Sequence, residues 1–136
     1  MRILLLNCTA FSFKLHHETE VAEKVPAGMS RAHEHALVLF TAVEQGDSAS
    51  TVSRAATDIH RIARRSNAKL LVINPFGHLS PTLADSSVAI TLLDELAEKI
   101  RKTDPEISVV RSVFGWYKEF SMDVRGDRNS QLYREY

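Results

Sequence analysis

The chain has 136 residues, of which 44% are hydrophobic and 25% charged, and its 17 basic and 17 acidic side chains cancel at neutral pH. This length gives one domain with a real core, and the zero balance excludes a protein that grips nucleic acid by bulk charge, though not one that receives the end of a nucleic acid held elsewhere. The single cysteine, Cys8, excludes an internal disulfide and points to a reducing, cytoplasmic setting, and no apolar run approaches the roughly 18 residues of a membrane span.

Residues 2–8, RILLLNC, read as a short buried strand, too brief and without a cleavage site to be a signal peptide. FSFKL at 11–15 alternates Phe11, Phe13 and Leu15 with polar residues and predicts a half-buried strand paired with the first. Residues 16–32, with Pro26 and Gly28, read as a loop. HALVLFTAVE at 35–44 predicts a central strand, and QGDSAS a turn into a helix. That helix, about 50–66, places Val52, Ala55, Ala56, Ile59, Ile62 and Ala63 on one face, with Arg54, Arg61, Arg64 and Arg65 outside the stripe.

AKLLVINPF at 68–76 predicts a buried strand. A second helix, 86–102, follows with Asp85 as N-cap and Ala89, Leu92, Leu93, Leu96 and Ile100 facing inward. Strands at 106–114 and 117–124 come next, and the last dozen residues are polar with no assigned element. The reading is a single α/β domain with a mixed sheet and two main helices, in the order β-β-β-α-β-α-β-β. Neither G-x-G-x-x-G nor G-x-x-x-x-G-K-[ST] occurs, and no cofactor is expected.

His78 follows a buried strand and precedes a helix, where α/β proteins commonly place ligands. Gly77 beside it lets a ligand approach bare backbone. The competing reading is a plain loop in which His78 satisfies a nearby carbonyl. Lys118, flanked by Trp116 and Tyr117, is either a partly desolvated lysine able to orient a reacting group or a lysine on a solvated strand face. His16, His17, His33 and His35 have no suitably spaced carboxylate or cysteine partner, so no metal site is expected. Cys8 reads as a buried structural thiol rather than a nucleophile. No nucleophile-elbow arrangement of Ser, His and Asp is present. Residue types alone stop at a pocket between the 75–78 loop and the 114–118 turn.

Two stretches carry a resemblance. PFGHLSPTLADSSVAI, from Pro75, is similar to the PFAHLS…SVA motif of the N-terminal editing domain of archaeal threonyl-tRNA synthetases, and FGWYKEF, from Phe114, resembles that family's FGYYK.F segment. The opening MRILLLN and the strand ALVLFTAVE also fit, so the resemblance covers nearly the whole chain. It implies a D-aminoacyl-tRNA deacylase-like fold and a homodimer. The implied activity is hydrolysis of the ester in L-seryl-tRNA(Thr), with the 3′ end of aminoacylated tRNA(Thr) as partner. It also implies aminoacylation and anticodon-binding domains in cis or in trans, with residues 1–136 as the editing domain of a larger synthetase.

Carried over by position, the resemblance implies an amino-acid pocket lined by Pro75, Phe76 and Gly77, with Val43 contributed by the neighbouring strand. It places His78 near the terminal adenosine or the ester, Lys118 at the attacking water and Tyr117 beside the substrate, with Phe114 and Gly115 shaping the turn. The resemblance also implies catalysis that uses the 2′-hydroxyl of the terminal ribose. Two positions depart from the family pattern: Gly77 stands where alanine is usual, and Gln131 where a glutamate follows the lysine by thirteen residues. Glu135, four residues on, is the carboxylate offered as its substitute. A D-aminoacyl-tRNA deacylase, or a non-catalytic module for tRNA-end binding or dimerisation, are the alternatives, separated by which ester is cleaved.

Overall fold

β1 (Arg2–Glu18) runs through the whole sheet and organises it, in a computed structural model that describes residues 1–136. β2 (Ser30–Ala42) returns antiparallel beside it. The chain then alternates through α1 (Ala49–Arg65), β3 (Leu70–Pro75), a single 3₁₀ turn (Gly77–Leu79), α2 (Ser86–Thr103) and β4 (Ser108–Arg111). β5 (Trp116–Val124) and β6 (Gln131–Glu135) complete a six-stranded sheet. β2, β3 and β4 are mutually parallel, so the two helices serve as crossovers, while β1, β5 and β6 add antiparallel pairs. The α/β class, the mixed sheet and both helices are as expected from the sequence.

The segments expected at 2–8 and 11–15 are not neighbours in the sheet; they are the two halves of β1. Their connecting NCTA stays extended. The expected loop shrinks to 19–29, and β2 starts at Ser30. The strand expected over 106–114 is confined to Ser108–Arg111, and the polar ending contains β6, which pairs with the first half of β1. β5 pairs with the second half on the same edge.

Two cores result. Ile3, Leu5, Leu37, Leu39, Leu71 and Ile73 meet the inner faces of both helices, where Ile59, Leu93, Leu96 and Ile100 are fully buried. The opposite face of the sheet carries Leu6, Cys8, Phe11, Phe13, Leu15, Val38, Phe40 and Val72. Even-numbered and odd-numbered residues of β1 share this second face because the strand changes phase. His35, opposite Thr9, takes a left-handed φ of 50°, and the register with β5 steps between Cys8 and Ala10. Cys8 lies in this core with its thiol pushed up by burial, as a structural residue. No helix is long and apolar enough to cross a membrane.

Candidate active site

A cavity of about 540 Å³ opens at the C-terminal ends of β2 and β3. This is the size range of small-ligand pockets. One wall is the loop that leaves β3, the other is the turn that enters β5, and Thr19 and Val21 of the 19–29 loop close the side.

The first wall is made of backbone and aromatic rings. The N–H of Phe76 donates to Thr41 O at 2.8 Å, which ends the sheet, and the 3₁₀ turn then leaves the N–H groups of Gly77 and His78 without partners inside it. The Phe76 ring meets Phe40 and His78 edge-on, each at 5.1 Å between centroids. Glu44 holds the following residues, accepting from Ser80 Oγ at 2.5 Å, while Gln45 N–H donates to Thr82 O and Ala84 N–H to Val43 O, both at 3.0 Å. Leu83 is thereby seated over Gly77. A Cβ at Gly77 would lie 3.0 Å from Leu83 Cδ1, so the alanine of the family pattern would press on this leucine rather than fill empty cavity.

The second wall is polar. Lys118 Nζ donates to Ser112 Oγ at 3.0 Å and to Asn74 Oδ1 at 3.2 Å, and the Ser112 hydroxyl donates to the same Asn74 oxygen at 2.6 Å. Asn74 and Ser112 are each 2% exposed, so these bonds are made away from water. An ammonium here spends two N–H groups on the pair and keeps a third for a ligand. Burial pulls the Lys118 amine down to about 8; Arg111 adds to this and Glu23 opposes it. Lys118 also lies 5.7 Å from the centre of the Phe13 ring.

Glu23 fastens the turn. Its carboxylate accepts from Arg111 through both oxygens, at 2.5 and 2.8 Å, and from the N–H of Phe114 at 2.7 Å. The Arg111 hydrogen bond is the main reason its carboxyl stays below the usual range. Arg111 Nε donates to Asp94 at 2.6 Å, tying the turn to α2, and Trp116 Nε1 donates to Glu23 O at 2.9 Å. Gly115 has φ 76°, and a Cβ there would sit 2.6 Å from Ala22 Cα. Only glycine permits the 19–29 loop to approach this closely.

The structure brings together Val43, Pro75, Phe76, Gly77, His78, Phe114, Tyr117 and Lys118 around the cavity, with His78 and Tyr117 exposed at its mouth. Gln131 is elsewhere, exposed on β6 opposite Leu6. Glu135, at the other end of β6, is not among the residues that line the cavity; it accepts from Tyr133 at 2.6 Å and lies 3.8 Å from Arg2, which donates to Leu79 O. The four histidines do not converge: His16 binds Glu119 at 2.8 Å and His35 binds Arg125 at 3.1 Å. Asn74, Ser112, Glu23 and Arg111 are absent from the sequence-based expectations. Asn74 alone had a visible signal, as a lone amide at the end of a buried aliphatic strand.

The family described as the archaea-specific editing domain of threonyl-tRNA synthetase matches residues 1–136. The chain is 39% identical to a threonine–tRNA ligase of Staphylothermus marinus and 37% to that of Thermofilum pendens, covering 97% and 98% of this chain but 22% of each ligase. A threonine–tRNA ligase editing subunit of Saccharolobus solfataricus is 35% identical over 98% of this chain and 34% of its own length. The chain therefore spans about a fifth to a third of these relatives. Two solved structures share the fold at 11% identity: the c-Myc DNA unwinding element binding protein, with TM-score 0.75 over 100% of this chain and 99% of the other, and a probable eukaryotic D-amino acid tRNA deacylase, with TM-score 0.54 over 98% and 97%.

Proposed function

The chain belongs to the archaea-specific editing-domain family of threonyl-tRNA synthetase, and on that premise we propose that it hydrolyses the ester of L-seryl-tRNA(Thr). The need for such a site is physical. Serine differs from threonine by one methyl, worth only about 1–3 kcal/mol in a binding pocket, so charging admits errors that a second site must remove.

The observation that carries the reading is the buried Lys118–Ser112–Asn74 cluster facing a backbone-lined wall across a cavity of ligand size. The aminoacyl group would sit against Pro75, Phe76 and Gly77, with Val43 at its side. The third N–H of the Lys118 ammonium would hold the water or the carbonyl oxygen as charge develops there. Water adds to the carbonyl carbon, the bond to the ribose oxygen breaks, and that oxygen leaves with a proton, giving free serine and tRNA. The neighbouring ribose hydroxyl is suited to relay this proton, which accounts for a site without a protein nucleophile. His78 and Tyr117, at the mouth, would flank the terminal adenosine. Charge balance leaves the bulk of the grip on the tRNA to other domains, in cis or in trans, in a cytoplasmic and homodimeric assembly.

The test is single-turnover loss of ester from seryl-tRNA(Thr) and threonyl-tRNA(Thr), with and without the protein. Rapid loss of the seryl ester with the threonyl ester spared is expected. Cleavage of a D-aminoacyl ester instead would reassign the substrate, and cleavage of none would leave a binding module.

A further inference from the structure

At the opposite end of α1 from the cavity, a cleft of about 300 Å³ lies between the last turn of the helix and the 125–130 turn that joins β5 to β6. Arg61, Arg65, Arg128 and Arg134 line it, against one carboxylate, Asp127. In a chain whose charges cancel, this is a local excess of positive charge. Arg61 and Arg134 share the carboxylate of Asp58, whereas Arg65 and Arg128 make no ion pair.

A second observation is independent of charge. Ser130 also lines the cleft, is 2% exposed, and its hydroxyl has no hydrogen-bond partner. The backbone around it is fully committed: Ser130 N–H donates to Asp127 O at 3.1 Å, and its carbonyl accepts from Asn7 N–H at 2.8 Å. The residue before it, Asn129, has φ 70°. The hydroxyl is thus held in a buried position with a polar valence unmet, which is rare in native proteins and calls for a partner such as a water or a bound ion.

We propose that this cleft is a second binding site, for a phosphate group. Arginine forks match phosphate oxygens through paired N–H donors, and a fixed hydroxyl supplies one more. Asp58 already engages two of the four arginines, which leaves Arg65 and Arg128 with their full charge for the ligand. The phosphate belongs either to the backbone of an RNA chain or to a small free anion. α1 has 17 residues and so is about 25 Å long, which puts the cleft well outside reach of the group bound in the cavity. The inference does not depend on which ester the cavity hydrolyses.

The experiment measures binding of a fluorescent acceptor-stem RNA hairpin, and separately of inorganic phosphate, to the 136-residue chain and to its Arg65→Ala/Arg128→Ala variant across a salt series. The variant is expected to bind about tenfold more weakly, with the salt dependence lowered by roughly one to two counterions. Hydrolysis of seryl-adenosine, which reaches only the cavity, should be unchanged. Loss of the hairpin alone assigns the site to RNA, and loss of inorganic phosphate alone assigns it to a free anion. A smaller loss in Ser130→Ala would tie the hydroxyl to the same ligand. Equal affinity of wild type and double variant for both ligands, or no binding of either by the wild type, overturns the proposal.

Discussion

The two walls of the cavity are built on different physical principles. The 75–80 loop offers main chain and ring edges, and it is held by Thr41, Val43 and Glu44 through bonds that do not involve the side chains lining the cavity. The 112–118 turn offers a charge, and that charge depends on buried partners: Asn74 and Ser112 directly, Glu23 and Arg111 behind them. A wall of backbone tolerates loss of side chains, whereas a wall of buried charge does not. The difference predicts an unequal response to substitution.

The largest effect should come from Lys118→Met. We expect the enzyme-dependent rate to fall about a hundredfold, the scale of a lost oxyanion donor, with ester-substrate affinity changed far less. The same variant should have a higher thermal midpoint, because it removes a charge from a desolvated position while Ser112 still satisfies Asn74. Comparable losses in rate and affinity would remove Lys118 from the chemistry. The wild-type rate should decline as pH rises through about 8, as the ammonium loses its third N–H. Folding stability should move the other way. Between about 8 and 10.5 the unfolded chain carries more protons on Lys118 than the folded one, so stability increases with pH across that window. A rate that instead climbs through pH 8, after correction for the uncatalysed reaction, would make the neutral amine the active form.

Gly115→Ala tests the clamp behind the charged wall. A positive φ combined with a 2.6 Å approach to Ala22 should cost about 3 kcal/mol, measured by denaturant unfolding, and displace the 19–29 loop. On the backbone wall, His78→Ala should lower the rate by only about tenfold, since no protein hydrogen bond depends on that ring. A folded His78 variant without activity would contradict the contrast between the walls. The smallest effect belongs to Gly77→Ala, where the new methyl meets the flexible end of Leu83. Stability should change by less than about 1 kcal/mol, and the shift should show in the ratio of seryl to threonyl cleavage.

The legible parts of the molecule were those whose signal is local. Both helices announced themselves by an apolar stripe, and β3 by an aliphatic run. The two loops of the cavity were visible as motifs because each is contiguous. Nothing local distinguishes Glu23 from the other acids of a polar loop, for its partner Arg111 lies 88 residues away. NCTA carries the polar residues of a turn and so divides β1 in the sequence, yet hydrogen bonds from strands on both sides keep it extended, with the change of phase absorbed at His35. β6 has no local signal, because its side chains alternate between exposed and half-buried without a fully buried position, leaving the pairing with β1 to define it.

β1 has one further consequence. Its residue Leu15 pairs with Lys118 at the cavity, and its residue Asn7 floors the arginine cleft. The strand does not run straight between them: its second half folds over the face of its first, so that the Phe11 ring lies 6.1 Å from that of Phe40, the register partner of Leu4. One continuous strand therefore holds both points in a single frame. An RNA chain that matched their separation would bind the second point at the high effective concentration created by the first, without any new contact. A chain that was too short, or bent the wrong way, would gain nothing from the second point, so selection by length would be added to selection by chemistry.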